Sequence, residues 1–238
     1  PDQNWDLHIV SDDGSVFLVD ALIAADGVRG FGRTYVNSLD SNKLQQAMDG
    51  RVAMRAVAKA TDLPKSFALP FCNLWLGPGA HLVHYPINEG KDVNLVLTLD
   101  AKKVTEDWQK EFFGHNDVLA ALYHSDNINW ANTALPSQNY QNCWRRGRTV
   151  LAGDAAHPIP PNLAQGAGQS LVDAACLMRN LGNNSIDDAL SSYSQERSKA
   201  VSKIFKKAMI SSKIMALDGL QAKARNIAIG LGGTEIID

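Results

Sequence analysis

The residues best suited to chemistry crowd into one stretch. Arg148-Thr149-Val150-Leu151-Ala152 reads as a short strand that runs directly into Gly153-Asp154-Ala155-Ala156-His157-Pro158-Ile159-Pro160-Pro161-Asn162-Leu163-Ala164-Gln165-Gly166-Ala167-Gly168-Gln169. Asp154 can accept hydrogen bonds from sugar-type hydroxyls, and the prolines stiffen the loop at low entropic cost. Gly166 and Gly168 lack side chains, so amides at a helix start can meet an anionic or polarised ligand with the helix dipole aiding. The helix is expected because Ala167, Leu171, Ala174, Ala175, Met178 and Leu181 recur at helical spacing. Strand, acidic turn, proline loop, glycine pair and helix form a ligand-cradling order that packing alone does not call for.

Two other places carry reactive side chains. Ala21-Leu22-Ile23-Ala24-Ala25 reads as a strand buried on both faces, and it ends in Asp26-Gly27-Val28-Arg29-Gly30. That order puts a carboxylate where a ligand can approach the backbone, and it equally suits a plain turn after a strand. Further on, Gly77-Pro78-Gly79 is a turn, so the apolar runs on either side should pair as antiparallel strands. His81 and His84 then fall on opposite faces and cannot chelate one ion. His81, Val83 and Tyr85 share a face, which either presents an imidazole and a phenol to a cavity or leaves both satisfied within the sheet. His8, His115 and His124 belong to no constellation.

The elements that must position these groups follow from local pattern. Residues 5–10 and Val16 to Val19 flank the turn Ser11-Asp12-Asp13-Gly14 as a hairpin. Arg51 to Ala58 and Asn94 to Leu99 read as strands; Thr105 to Phe113, with Thr105 as N-cap, and Asn116 to His124 read as helices. Ser185 to Leu217 is helical, with Ile204, Phe205, Ala208, Met209, Ser212 and Met215 on one face and lysines around the rest. Such a helix packs on a domain or lies on a membrane surface. The 238 residues suffice for one to two domains at ~150 residues each, and the 45% hydrophobic, 20% charged composition excludes whole-chain disorder. A net charge of -2 without a basic block argues against nucleic acid as a partner. No apolar run approaches the ~20 residues of a membrane span. Cys72, Cys143 and Cys176 suit neither a disulfide framework nor a metal knuckle, and a reducing cytoplasm is expected.

The segment Gly153 to Gln169, together with Ala24-Ala25-Asp26-Gly27-Val28-Arg29, resembles the FAD-dependent aromatic hydroxylases, the single-component flavoprotein monooxygenases that include salicylate and hydroxybenzoate hydroxylases. The resemblance implies that Asp154 holds the ribityl chain of FAD, that Gly153 is also a cofactor-binding residue, and that Pro161 lies beside the reactive edge of the isoalloxazine. Gly166, Ala167 and Gly168 would meet its pyrimidine end, and Asp26 would serve FAD and nicotinamide nucleotide binding. His81, on the strand with Tyr85, would help deprotonate a phenolic substrate, a task that suits a base with a pKa near neutrality. The chain departs from the family pattern at Ala24-Ala25-Asp26-Gly27 followed by Gly30, and at Val172 before Asp173. No strand followed by GxGxxG occurs, and Gly230-Leu231-Gly232-Gly233 lacks that context.

The expected fold class is α/β with α+β character: part of a split, Rossmann-like FAD-binding domain (residues 1–36 and 148–184), an inserted antiparallel-sheet substrate domain (residues 37–147) and a C-terminal helical region (residues 185–238). The function implied is the C-terminal portion of a monooxygenase that uses FAD, NAD(P)H and O2 to hydroxylate a small phenolic aromatic acid through a flavin hydroperoxide. A complementing chain carrying the N-terminal FAD-binding segment is the partner such a portion would need. The rival readings are a non-catalytic flavin-fold module and an epoxidase or polycyclic hydroxylase on the same scaffold.

Overall fold

The computed structural model describes residues 7–37, 48–114, 116–125, 127–136 and 143–232; Trp5, Asp6, His115 and Gly233 lie outside them. In chain order the elements are β1 (Leu7–Val10), β2 (Val16–Val19), β3 (Leu22–Ala24), α1 (Phe31–Asn37), β4 (Met48–Lys59), β5 (Asn73–Gly77), β6 (Ala80–Ile87) and β7 (Asp92–Asp100). They continue as α2 (Trp108–Phe113), α3 (Ala120–Tyr123), β8 (Ala131–Pro136), β9 (Arg145–Arg146), β10 (Thr149–Leu151), α4 (Gly166–Leu181), α5 (Ile186–Met215) and α6 (Gly219–Gly232). The chain divides into two compact units, residues 1–48 with 136–211 and residues 49–135 with 212–238.

In the first unit, β1 and β2 form the expected antiparallel hairpin, closed by Gly14 at φ +82° and by the Asp13 carboxylate accepting from Ser15 N. β10 is fully buried and lies between β3, which runs parallel to it, and β9, which runs antiparallel. β3 is not buried on both faces as its apolar run suggests, because Ile23 is exposed. It pairs with β10 alone among the described strands, so its run of apolar residues reflects β propensity as much as burial. α5 follows the expected pattern: Leu190, Tyr193, Arg197, Val201, Phe205 and Ala208 are buried at three- and four-residue steps while Lys203, Lys206 and Lys207 face solvent. Its start is capped by Ser185, whose Oγ accepts from Asp188 N at 3.3 Å and donates to the Asp188 carboxylate at 2.7 Å. The apolar face therefore packs within the protein. Among the described residues no helix is long and apolar enough to cross a membrane.

The second unit is built on a five-stranded sheet in the order β5-β6-β7-β4-β8. One face is a continuous apolar surface, with Val52, Met54, Leu82, Leu95, Leu97 and Leu99 packed with Phe67, Trp108, Phe113 and Leu122. Trp130 crosses Trp108 edge-on at 5.5 Å and stacks on Phe113 at 5.7 Å, and such pairs add to the area they bury. The two-residue link Pro78-Gly79 joins β5 to β6 as expected, with Gly79 at φ +67° where a side chain would be strained. The helices here are shorter than their sequence patterns. α2 begins at Trp108 after Asp107, and Thr105 contributes only its carbonyl, to Trp108 N. Of the stretch from Asn116 to His124, only α3 is helical, because the Asn116 side chain accepts from Val118 N and Leu119 N and holds a turn before the helix.

Tyr193 donates its hydroxyl to Leu151 O at 2.9 Å, tying α5 to the end of β10 in the first unit's core. Tyr193→Phe is expected to lower unfolding free energy by about 1 kcal/mol, measured by urea denaturation. An unchanged midpoint would show that the hydroxyl contributes nothing to the junction.

Candidate functional site

The loop after β10 is held from beneath by one buried carboxylate. Gly153 leaves the strand at φ +58°, a conformation that favours glycine, and a Cβ there would press to 3.1 Å from Ser170 Oγ of α4. Its amide donates to Asp173 Oδ2 at 2.9 Å, His157 Nε2 lies 2.6 Å from the same oxygen, and Arg197 Nε donates to Asp173 Oδ1 at 2.7 Å. Arg197 also donates to Gln169 Oε1 at 2.7 Å. Asp173 is 1% exposed and His157 and Arg197 are buried. Burial works to raise the Asp173 pKa, but the bonds from His157 and Arg197 outweigh it and hold the carboxyl below its ordinary range. An ionised carboxylate only accepts, so His157 carries its proton on Nε2. Trp144 lies against the imidazole at 5.3 Å, and Arg33 of α1 donates to Ala155 O at 3.1 Å.

On this support stands an exposed, ligand-ready surface. Asp154 is exposed in a single 3-10 turn, and a Cβ on Gly166 would lie 3.9 Å from its Oδ1. Pro161 opens a second 3-10 turn, which ends at Ala164 in the left-handed region at φ +51°, a costly conformation for alanine. α4 then starts at Gly166 with no side-chain cap from Gln165, and a Cβ on Gly168 would meet open space. A hydroxylated chain at Asp154 and an electron-rich ring edge at the amides of Gly166, Ala167 and Gly168 fit these donors and acceptors. The apolar residues that signalled α4 do not mark its core side: Leu171 and Met178 are 74% and 75% exposed, while Asp173, Cys176, Leu177 and Asn180 are buried.

Asp26 caps α1: its Oδ2 accepts from Gly32 N at 2.8 Å. A Cβ on Gly30 would fall 2.0 Å from the Asp26 carboxyl carbon, so glycine there is a requirement of the carboxylate's position. The Asp-Gly segment is therefore built around the aspartate, and one carboxylate oxygen is already engaged by backbone.

In the second unit His81 and His84 lie on opposite faces, as strand alternation requires. His84 is buried among the core rings, 4.3 Å from Phe67. His81 faces the other way, is 3% exposed, and its Nδ1 has no hydrogen-bond partner among the described residues. Burial, then the charges of Arg51 and Arg225, lower its pKa to about 4, which corrects the expectation of a base near neutrality. Tyr85 shares the face but is 39% exposed, and four residues of strand set it about 13 Å along from His81, too far for both to meet one hydroxyl. Among the described residues no group of three or more His, Cys, Asp or Glu converges as a metal site.

Sequence reading missed His157, Asp173, Arg197 and Arg33 as a supporting set. Arg197 gave a usable signal, standing in the buried stripe of Leu190, Tyr193 and Val201, where an arginine calls for a buried partner. Asp173→Asn would leave Arg197 buried without its counter-charge and is expected to cost about 3 to 5 kcal/mol in chemical denaturation. A loss below 1 kcal/mol would show that the network carries little of the loop's stability. His81 gives a pH signature. Its folded pKa lies below the ordinary 6.5, so the unfolded chain takes up the proton first and stability falls as pH drops from about 6.5 toward about 4. The integrated loss is about 3 kcal/mol. His81→Leu should remove it, so urea midpoints of the two proteins compared at pH 7 and pH 4.5 separate them; parallel losses would show that His81 is protonated in the fold.

A family model described as an FAD binding domain matches residues 12–208. The 3-hydroxybenzoate 6-hydroxylase 2 of Aquipseudomonas alcaligenes is 31% identical over 229 residues, covering 92% of this chain and 70% of that protein. The 3-hydroxybenzoate 6-hydroxylase of Polaromonas naphthalenivorans (strain CJ2) is 30% identical, covering 92% of this chain and 58% of that protein. A solved salicylate hydroxylase substrate complex shares the fold with a TM-score of 0.69 at 22% identity, over 91% of this chain and 61% of its own. With a family match across most of its length and relatives of one chemical kind, the chain belongs to the FAD-dependent aromatic hydroxylases.

Proposed function

We propose that this chain forms part of an NAD(P)H-using monooxygenase that hydroxylates a small phenolic aromatic acid with O2. The observation that carries the reading is the uncapped start of α4, opened by Gly166 and Gly168 beside the exposed Asp154 carboxylate. When bound, FAD supplies the electrons taken from NAD(P)H and the activation of O2. Asp154 accepts from ribityl hydroxyls, with Gly153 providing the turn that aims it. The amides of Gly166, Ala167 and Gly168, at a helix start whose dipole favours negative charge, would hold the pyrimidine edge of the flavin. Pro161 supplies a rigid wall next to the ring. Asp26, by fixing α1 and its glycines, shapes the backbone for the dinucleotide and for the nicotinamide co-substrate. His81, neutral and buried, hydrogen-bonds the substrate's ring hydroxyl, and Tyr85 stands farther out on the same face.

The relatives are longer than this chain, and the ADP half of the cofactor is assigned to polypeptide beyond these 238 residues, in the same or a complementing chain. Three free cysteines suit the cytoplasm as its compartment.

The reading is tested on the FAD-loaded protein. Asp154→Ala should weaken FAD binding by about 1.5 to 3 kcal/mol, the range for a hydrogen bond to a charged group. In the unaltered protein a hydroxybenzoate isomer should drive NAD(P)H oxidation matched by hydroxylated product. Unchanged FAD retention in the variant removes Asp154 from the cofactor site, and NAD(P)H oxidation indifferent to every isomer overturns the hydroxylase reading.

A further inference from the structure

Thr98 of β7 stands directly across from His81 of β6 in the strand register, so their side chains leave the same face with Cβ atoms about 5 Å apart. The adjoining positions in the same row are Leu76 on β5 and Ala53 on β4, and the opposite face is the apolar core. Both side chains are at least 97% removed from solvent, yet Thr98 Oγ1 and His81 Nδ1 have no hydrogen-bond partner among the described residues. Leaving a buried polar atom unpaired is destabilising, and valine would fill the Thr98 position without a polar atom to satisfy. Two adjacent unpaired groups on one face point to a third group that both can bond. A hydroxyl fits, because it donates to one partner while accepting from the other, whereas an ionised carboxylate only accepts. We infer that Thr98 is a second substrate-contacting residue, which with His81 forms a two-point hydrogen-bonding subsite for an aromatic ring hydroxyl.

Arg225 supports this assignment. Its guanidinium donates to Gly77 O, Ile214 O, Met215 O and Asn226 Oδ1, and those oxygens carry no full negative charge. The positive field it casts on His81 disfavours the imidazolium, so the neutral ring keeps one donor and one acceptor nitrogen for a ring hydroxyl at the subsite. The inference rests on the reading of this sheet as the substrate-binding one.

The test compares 3-hydroxybenzoate with benzoate, measured by calorimetry on the FAD-loaded protein with Thr98 intact, as Thr98→Val and as Thr98→Ser. Thr98→Val should bind 3-hydroxybenzoate at least tenfold more weakly, bind benzoate as before, and melt no lower than the parent. Thr98→Ser should retain the preference for the hydroxylated ligand. If Thr98→Val keeps that preference, a water satisfies the threonine and the subsite is wrong. Equal loss of both ligands shows a structural role and also overturns it. If the unaltered protein binds FAD yet does not distinguish the two ligands, the substrate reading of the sheet fails, a result separate from either variant's behaviour.

Discussion

A single buried carboxylate organises the first unit. Asp173 is buried in a helix, where an unpaired charge would cost several kcal/mol, and it persists because three donors from two segments converge on it. Each donor constrains something else. The Gly153 amide fixes the left-handed exit from β10, His157 anchors the far end of the Gly153 to His157 turn, and Arg197 locks α5 against α4. The exposed Asp154 can point at a ligand because the residues on either side of it are pinned. The contact proposed for the cofactor falls to a residue whose own surroundings are simple, and its placement comes from the layer beneath.

The two units offer different parts of the polypeptide to the ligands proposed for them. The first relies on backbone: helix-start amides, glycines whose missing Cβ opens space, and an alanine held in a left-handed conformation. The second relies on side chains fixed to a sheet whose other face is a tightly packed core. A strand with one face locked by Leu82, Leu95 and Leu97 holds the residues of its opposite face in register, so His81 and Thr98 meet without a loop to place them. The clamp on the β5–β6 turn adds to this. Arg225 bonds Gly77 O, Leu217 O accepts from Gly79 N, and Lys103 pairs with Asp218.

Local chemistry was legible from the residues alone: the hairpin turn at Ser11 to Gly14, the Pro78-Gly79 link, the strand running into Gly153-Asp154, the glycine-led helix, and the opposite faces of His81 and His84. Each depends on neighbours within a few positions, where backbone sterics and periodicity act. Only the tertiary structure decided which side of α4 is buried, because Leu171 and Met178 mark a stripe that periodicity assigns to a core, while the partners of Asp173 lie 16, 20 and 24 residues away. The same holds for His81. Its spacing places it on a face, but its pKa of about 4 follows from burial and from arginines brought to it by the fold, which no local pattern records.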